Sequence, residues 1–521
     1  MNHTDTAKNT RAMTKSTLIL TAISAVGLVL SFAKEAVIAF FFGTSAVVDA
    51  YVVAIDLPVM FFATASMALA AVVIPNYTQL RVNEGEESAK QFFNKFTTLL
   101  MVAGAAFLLL LELLADPIVF IGAPGLSAEM HDYAVTMFRV ALPASLVLLF
   151  VKTNTGVLNS HKSFALPSLG NLVLSVVFIV FVALLAGHFG IYAAVWATLL
   201  GAMVELLYSV AIRRRYVRYH PDAGFKDERV KRSLRMALPV AIGISIEELN
   251  RIIDKAIASS LEEGSISALH YASKISSGIS NLLISSISVV FYPEYAQKAS
   301  EGDDKGLAET YGVSINLYLL IIVPLIAGGF FLREEIVSLV YGRGAFDATS
   351  LAMTAPLFVG YLACLLFTSV RQSCTNFFNA YGETKIPAIN TVIGVLLNVA
   401  LNFLLSHFWG ALGLVIATLI SSAVTAVLLM IAVRRRNTHV RYGKNLLLFA
   451  KTAVAAVLML AALVGVRVLF SLAFGEVLAL WQSLLYLVVA VALGAIVYAI
   501  GLYVLRVREI KMVVGLLKRK K

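Results

Sequence analysis

Two stretches of this chain carry the same pattern of residues. Residues 166–215 read LPSLGNLVLSVVFIVFVALLAGHFGIYAAVWATLLGAMVELLYSVAIRRR, and residues 386–436 read IPAINTVIGVLLNVALNFLLSHFWGALGLVIATLISSAVTAVLLMIAVRRR. In each, a proline and an asparagine precede a long apolar run, a His-Phe pair follows it, and Ala-Thr-Leu leads to three arginines. Equivalent positions lie 219 to 221 residues apart. An apolar chain duplicated in this way is typical of a transporter built from two structural repeats.

The composition indicates a protein that lies in a membrane. The chain has 521 residues, of which 59% are hydrophobic and 14% charged, and its mean hydropathy is +0.85. Soluble proteins of this size contain about 25% charged residues. The apolar residues form about 14 runs of roughly 20 residues, the length that crosses about 30 Å of hydrocarbon as a helix. We therefore predict an all-α integral membrane protein with about 14 transmembrane helices.

The basic residues are distributed unevenly between the two sides of the predicted membrane. They gather between Arg213 and Arg235, after Arg434, and in the C-terminal residues 518–521, whereas the loop 116–132 holds more acids than bases. In membrane proteins, basic residues accumulate in the cytoplasmic loops. With an even number of helices, this distribution predicts that both termini are cytoplasmic. The net charge of +11 is then a consequence of membrane orientation. Because no long basic soluble domain is present, a nucleic-acid partner is not expected.

The duplication divides the chain into segments. We predict a cytoplasmic N-terminal segment and then two six-helix repeats that share one orientation, because six is an even number, with a central cavity between them. Two helices that fall outside the duplication follow the second repeat. The predicted segments are 1–15 (N-terminal segment), 16–215 (first repeat), 216–235 (basic linker), 236–436 (second repeat), 437–505 (appended helices) and 506–521 (basic tail).

Charged residues occur inside the predicted spans, where each costs about 2.5–3.5 kcal/mol to insert. They concentrate in helices 1, 2, 7 and 8, counting the 14 predicted transmembrane helices in chain order; these are the first two helices of each repeat and hence equivalent pairs. This pattern predicts a water-filled cavity whose cations bind an anionic head group. The alternative is ion pairing within the protein, of Lys34 with Asp49 or Asp56 and of Arg251 with Asp254 or Glu247. The candidate substrate-binding residues are Lys34, Glu35, Asp49, Asp56, Arg251, Asp254, Lys255, Lys274 and Arg371.

A second polar group is a candidate cation site. Asn398 and Asn402 lie four residues apart, and hence on one face of helix 11, and helix 12 carries Thr418. Such oxygen ligands suit a small cation, and Glu247 or Glu248 would supply the negative charge. The alternative is that these side chains only hydrogen-bond neighbouring helices together. The candidate driving forces for transport are sodium, a proton or the membrane potential, and no cofactor is expected.

Four motifs resemble the MurJ (MviN) family, in the superfamily of multidrug, oligosaccharidyl-lipid and polysaccharide exporters. They are SFAKE at 31–35, DAY at 49–51, YGRGAFD at 341–347 and FFNAYGETKIP at 377–387. The resemblance extends over nearly the whole chain, including the two appended helices. It implies a flippase that moves lipid II, the undecaprenyl-pyrophosphate-linked peptidoglycan precursor, across the bacterial plasma membrane for cell-wall synthesis, with cell-wall synthesis proteins as candidate partners.

The resemblance also implies roles for single residues. Lys34 stands where the family usually has a cavity arginine, and Lys274 stands at another basic position, whereas Leu28 and Phe62 replace two expected arginines. Lysine binds phosphate as a point charge, without the bidentate fork of arginine. Another undecaprenyl-linked oligosaccharide, from an exopolysaccharide or a teichoic-type polymer, is therefore an alternative cargo.

Two other classes of protein are less consistent with the sequence. A drug or cation antiporter would usually have only 12 helices and would need acids for a cationic cargo. A membrane enzyme would need catalytic carboxylates or a base on long outer loops, and the sequence has neither a nucleophile–base motif nor a metal motif. We therefore expect a transporter and not an enzyme.

Overall fold

The structure is a computed structural model that describes residues 3–222, 224, 227–475, 480–507 and 509, and within those residues it is helical, without strands. Fifteen helices are assigned in this part of the chain. They are α1 (His3–Phe42), α2 (Ala46–Asn83), α3 (Glu86–Leu113), α4 (Ala115–Gly122), α5 (Ala128–Ser160), α6 (Ala165–Phe189), α7 (Tyr192–Arg213), α8 (Glu228–Ala258), α9 (Ser265–Ser300), α10 (Asp304–Phe331), α11 (Arg333–Tyr341), α12 (Ala348–Ala380), α13 (Lys385–Arg436), α14 (Gly443–Phe474) and α15 (Leu480–Val504).

The number of membrane-spanning helices agrees with the prediction. Among the described residues, 12 helices are long and apolar enough to cross a membrane. One of them, α13, consists of two helices that meet at Gly410, where φ is 54°. Helix α8 is not among the 12, but its 31 residues extend roughly 46 Å at 1.5 Å per residue. Counting both halves of α13 and adding α8 gives 14 spans, and the chain is a multi-pass membrane protein.

The duplication seen in the sequence is also present in the backbone. Helices α3 and α10 each have 28 residues, α5 and α12 each have 33, and the short helices α4 and α11 occupy equivalent places. The turns repeat as well, since residues in the left-handed region recur about 220 positions apart. These pairs are Gly43 and Gly264, Gly85 and Gly302, Lys162 and Gly382, and Gly190 and Gly410. Glycine is favoured where a helix ends in a left-handed turn because it has no Cβ to clash.

The first of two compact units comprises the described part of Met1–Ser267 together with Arg343–Phe346. Within it, α2 packs against α5, α6 against α7, and α1 against α6. Helix α8 also belongs to this unit, where it packs mainly against α2. Gly201 allows α7 to approach α6 closely, because a Cβ there would lie 3.2 Å from the backbone oxygen of Leu174. Small residues at such crossings are typical of helices that pack within a membrane.

The second unit comprises Ala268–Gly342 and the described part of Asp347–Lys521. In this unit α12 packs against both α10 and α13, and the appended helices α14 and α15 pack against each other and against α10. Asn445 on α14 donates a hydrogen bond to Asn316 on α10 (2.6 Å). Gly501 on α15 is a close-approach point, since a Cβ there would lie 3.2 Å from the Cβ of Ala455 on α14.

Candidate functional site

Asp49, one of the candidate residues, is buried at the start of α2 and binds the beginning of α9. Its side chain accepts hydrogen bonds from the backbone N–H groups of Gly264 (2.8 Å) and Ser267 (2.7 Å), and the residue is only 5% exposed. The first N–H groups of a helix have no partner within the helix, and a carboxylate there also interacts favourably with the helix dipole. A bond also runs in the opposite direction. Glu263, just before α9, accepts a hydrogen bond from the N–H of Ala46 at the start of α2 (3.1 Å).

Two loops clasp the ends of α1 and α8 in the same unit. The N–H of Gly125, between α4 and α5, donates to the hydroxyl of Ser259 at the end of α8 (2.9 Å). The N–H of Ala345, between α11 and α12, donates to the carbonyl of Phe40 near the end of α1 (2.7 Å). A Cβ at Gly125 would lie 2.3 Å from the oxygen of Ser259, so this approach requires glycine. The two clasps occupy equivalent positions of the duplication, at the end of the helices that the charge distribution assigns to the outside.

Further along α2 and α8, the charged candidates form pairs. Lys255 is joined to Asp56 by an ion pair between the two helices. Asn250 donates to Asp254 (3.4 Å). Ion pairs in a region of low dielectric lower the cost of keeping charge away from bulk water.

Arg251 pairs with Glu248, three residues earlier on α8, at 3.3 Å. The side chain of Arg251 is 61% exposed, whereas that of Glu248 is 11% exposed. The ion pair engages one side of the guanidinium, and most of the Arg251 side chain remains accessible. Glu247, the neighbouring acid that we expected as a partner, has a side chain outside the described residues.

Lys34 is half-buried on α1, and its ammonium lies 4.5 Å from the centre of the Phe178 ring on α6. A cation over an aromatic face is stabilised by the ring quadrupole. Glu35, the next residue of α1, is also half-buried. On α7, buried Glu205 interacts electrostatically with Lys34 and with Lys152 of α5. Lys152 was not among the candidates from the sequence, although a lysine within the apolar run of the fourth predicted span, which is α5, could have indicated it.

The remaining basic candidates belong to the second unit. Lys274 on α9 and Arg371 on α12 are both half-buried. The neighbour of Arg371, Gln372, donates to Asn376 (3.0 Å), so α12 carries a polar stripe at this level. The position of Lys274 on α9 repeats that of Asp56 within the duplication, to within a few residues.

Three of the five candidate cation ligands come together in the second unit. Asn398 donates to the hydroxyls of Thr418 (3.3 Å) and Ser421 (3.4 Å), and Asn402 donates to the side-chain oxygen of Asn398 (3.1 Å). Both asparagines are buried. Within the described residues, no group of three or more His, Cys, Asp or Glu side chains is placed to bind a metal. The amides therefore supply neutral oxygens, and any negative charge must come from elsewhere.

The basic linker is anchored to α3 by an acid that begins α8. Asp227 accepts hydrogen bonds from Lys95 (3.0 Å) and from the backbone and guanidinium of Arg229 (both 2.9 Å). These bonds, those of Arg229 foremost, hold the pKa of Asp227 well below its ordinary value of 3.8. These bonds fix the end of the linker to α3 within the first unit, on the side that the charge distribution assigns to the cytoplasm.

Comparison with known sequences covers most of the chain. The family model described as "Lipid II flippase MurJ" matches residues 38–485. The "Lipid II flippase MurJ" of Burkholderia cenocepacia is 25% identical over 460 residues, which are 86% of this chain and 89% of that protein. The "Probable lipid II flippase MurJ" of Bdellovibrio bacteriovorus is 26% identical over 456 residues, or 85% of this chain and 87% of that protein.

Solved structures share the fold. A lipid II flippase MurJ in an inward closed conformation superposes with a TM-score of 0.77 at 19% identity, covering 94% of this chain and 98% of that one. An inward-facing multidrug resistance transporter of the MATE family gives a TM-score of 0.68 at 17% identity, covering 80% and 95%. The second match lies in the superfamily that the motifs indicated. With a family model that matches far more than half of its length, the chain belongs to the MurJ family of lipid II flippases.

Proposed function

We propose that this protein moves lipid II from the cytoplasmic to the outer leaflet of the bacterial plasma membrane by alternating access. The observation that carries the proposal is the family match over residues 38–485, together with the duplicated helical fold. The protein is a transporter and not an enzyme, and its substrate is an undecaprenyl-linked glycolipid. Both termini are then cytoplasmic, as the distribution of basic residues predicts.

We assign contact with the pyrophosphate or the adjoining sugar to Lys34, Arg251 and Lys274. Arg251 supports this role best, because its guanidinium is largely exposed beside a buried partner acid. Lys34 has an aromatic ring on one side that fixes its position. A positioned cation of this kind forms charge-assisted hydrogen bonds to phosphate, each worth about 1.5–3 kcal/mol. Arg371 is assigned the same role at the cytoplasmic end of α12.

The acids and Lys255 receive a different role, which is to set the local charge. Lys255 is paired with Asp56, so its cation is balanced within the protein before any substrate enters. Asp254 is hydrogen-bonded by Asn250, and Glu35 lies beside Lys34. These acids limit the net positive charge around the site, which would favour release of the pyrophosphate after it has crossed.

The outer ends of the helices form the element that must open. We propose that the bonds from Asp49 to the start of α9, and the two clasps at Ser259 and Phe40, hold this end closed while the substrate enters from the cytoplasm. Release to the outer leaflet then requires these bonds to break together. The bonds are few and mostly to backbone groups, so water can replace each of them when this end opens.

Coupling to sodium is a further proposal. Asn398, Asn402 and Thr418 offer neutral oxygens, and Glu247 or Glu248 would provide the charge when α8 moves. Asparagine and threonine oxygens are ligands typical of hard cations. Sodium-dependent transport that is lost in Asn402→Leu, with normal expression, would support this arrangement, whereas transport that is unchanged by removal of sodium would exclude it.

The experiment that tests the transport function is complementation. The gene should restore growth to a strain depleted of its own lipid II flippase, and a reporter of lipid II in the outer leaflet should recover with it. The Lys34→Ala, Lys274→Ala variant is the matched negative control. Accumulation of precursor in the cytoplasmic leaflet despite normal expression of the wild-type protein would contradict the proposal, and transport of another undecaprenyl-linked oligosaccharide in the same assay would identify the alternative cargo.

A further inference from the structure

A groove lies where the second half of α13 ends and α14 begins. Its volume is about 540 Å³, and it is open on one side. The residues that line it are Val427, Met430, Ile431, Arg434, Arg435 and Tyr442. The groove combines an apolar wall with two adjacent arginines, which is the composition of a site for an amphipathic anion.

The walls of the groove are held in place by hydrogen bonds to the loop between the two helices. The hydroxyl of Tyr442 donates to the carbonyl of Met430 (2.7 Å), and the guanidinium of Arg434 donates to the carbonyl of Val440 (3.2 Å). Val427 and Ile431 lie four residues apart on one face of α13, and they are 51% and 45% exposed. The groove is therefore preformed, and its apolar wall is exposed at the surface of the protein.

The three consecutive arginines at the end of α13 are used differently. Arg436 bonds to Glu383 (2.6 Å) and lies 4.1 Å from the centre of the Tyr381 ring. Arg434 and Arg435 make no ion pair with any carboxylate in the described part of the chain. Two permanent cations thus stand at the rim of an apolar groove without a protein anion to balance them.

The position of the groove along the helix determines which anion meets it. Arg434 follows a long apolar run and precedes Arg441 and Lys444, so it lies at the depth of the lipid head groups on the side that the charge distribution assigns to the cytoplasm. The cytoplasmic leaflet is rich in anionic lipids, and basic pockets between helices on that side bind lipid head groups.

We propose that the groove binds one anionic phospholipid of the cytoplasmic leaflet, whose phosphate contacts Arg434 and Arg435 and whose acyl chain lies along Val427, Met430 and Ile431. Guanidinium groups bind phosphate oxygens in a bidentate manner. The lipid fills the junction between the second repeat and the appended helices. This binding site is independent of the transport function proposed above, because none of its residues belongs to the proposed cargo site.

The duplication supplies a matched control. The equivalent arginines of the first repeat are Arg213, Arg214 and Arg215, and Arg213 is only 5% exposed, with its guanidinium 5.2 Å from the centre of the Phe93 ring. Arg214 and Arg215 directly follow α7 and are exposed. Replacing these two removes the same charge from the same side of the membrane without altering the groove.

The test measures binding of dioleoyl phosphatidylglycerol and of dioleoyl phosphatidylcholine to the purified full-length protein. Native mass spectrometry detects the bound lipid. Each basic residue near a membrane surface contributes roughly fivefold to the affinity for anionic lipid. We expect one phosphatidylglycerol to bind in preference to phosphatidylcholine, and Arg434→Gln, Arg435→Gln to weaken it about thirtyfold. Arg214→Gln, Arg215→Gln should change the affinity less than twofold.

Further variants and ligands keep the test decisive. Arg434→Lys, Arg435→Lys retains the charge without the planar fork, so it should fold normally and bind with intermediate affinity. Equal loss in the 214/215 control would show a general charge effect and overturn the proposal, as would wild-type affinity in the 434/435 glutamine variant. Displacement of the lipid by glycerol 3-phosphate would contradict the role of the apolar wall, and preferential binding of undecaprenyl phosphate would assign the groove to the cargo lipid.

Discussion

Replacing Asp49 by asparagine should favour opening of the outer end of the protein. The carboxylate of Asp49 accepts two backbone N–H groups, those of Gly264 (2.8 Å) and Ser267 (2.7 Å), at the start of α9. Asparagine has a single acceptor oxygen, so one of the two donors would face the NH₂ group of the amide. The substitution leaves the size of the side chain almost unchanged, and its effect is therefore on charge and hydrogen bonding.

The magnitude follows from these contacts. A hydrogen bond to a charged group contributes about 1.5–3 kcal/mol, and the interaction of a carboxylate with a helix N-terminus adds about 0.3–1 kcal/mol. The closed outer end should thus lose about 2–4 kcal/mol relative to the open form. Because 1.4 kcal/mol corresponds to a factor of ten, the ratio of closed to open protein should fall roughly 30- to 1,000-fold.

The assay measures distances between spin labels at Glu129 and Glu262. Both side chains are exposed, both residues belong to the first unit, and they lie on opposite sides of the clasp between Gly125 and Ser259. The two native cysteines, Cys364 and Cys374, are buried, which makes labelling of the introduced cysteines selective. We expect a single short distance in the parent protein and a second, longer distance in the Asp49→Asn variant.

The control is Asp116→Asn, which removes an acid from the same side of the membrane. The side chain of Asp116 is 70% exposed, and its partner is the imidazole of His131 at 3.0 Å. It should leave the distance distribution unchanged, because exposed pairs contribute about 0–1 kcal/mol. If Asp49→Asn gives the same distances as the parent protein, Asp49 does not hold the outer end closed and the reasoning fails.

Three further predictions concern other parts of the chain. Lys34→Ala with Lys274→Ala should weaken binding of lipid II roughly a hundredfold or more, measured by titration, and full activity of this variant would exclude both contacts. We also expect the apolar helices α14 and α15 to line a lipid-facing groove for the isoprenoid tail of the cargo, so truncation after Arg436 should abolish flipping; normal flipping by a truncate that inserts would exclude that role. The hydrogen bonds that lower the pKa of Asp227 stabilise the folded protein fully above pH 3.8, the ordinary pKa of this group, and progressively less as the pH falls below it. Asp227→Asn should therefore melt at a lower temperature than the parent at pH 7, with a difference that shrinks towards pH 3.

The helix order and the family were accessible from the sequence. Hydrocarbon excludes unpaired backbone groups, so each apolar run of sufficient length must form a helix. The fixed spacing of about 220 residues then assigns each helix of the second repeat a counterpart in the first. The glycines at 190 and 410 illustrate this, because both end an apolar helix in a left-handed turn.

The partners of the charged residues were not accessible. Asp49 was predicted as a cavity residue, but its backbone N–H partners, more than 200 residues away, could not be identified from the sequence. The pairing of Arg251 with Glu248 was likewise not among the pairs that the sequence suggested. A polar group buried in a membrane needs a hydrogen-bond partner, but many groups in the chain could serve. The sequence therefore does not specify which one does.

The order of residues was enough to predict the class of protein, its duplication, its spans and the residues whose charge is expensive in a membrane. Those features depend on the solubility of each segment in lipid, which is a local property of composition and length. The pairing of acids with bases and the loops that clasp α1 and α8 became visible only in the folded protein. The same is true of the end of α13, where two arginines line a groove while a third is bound by Glu383. Such choices depend on distances of a few ångströms between helices that are distant in the chain, and only packing sets those distances.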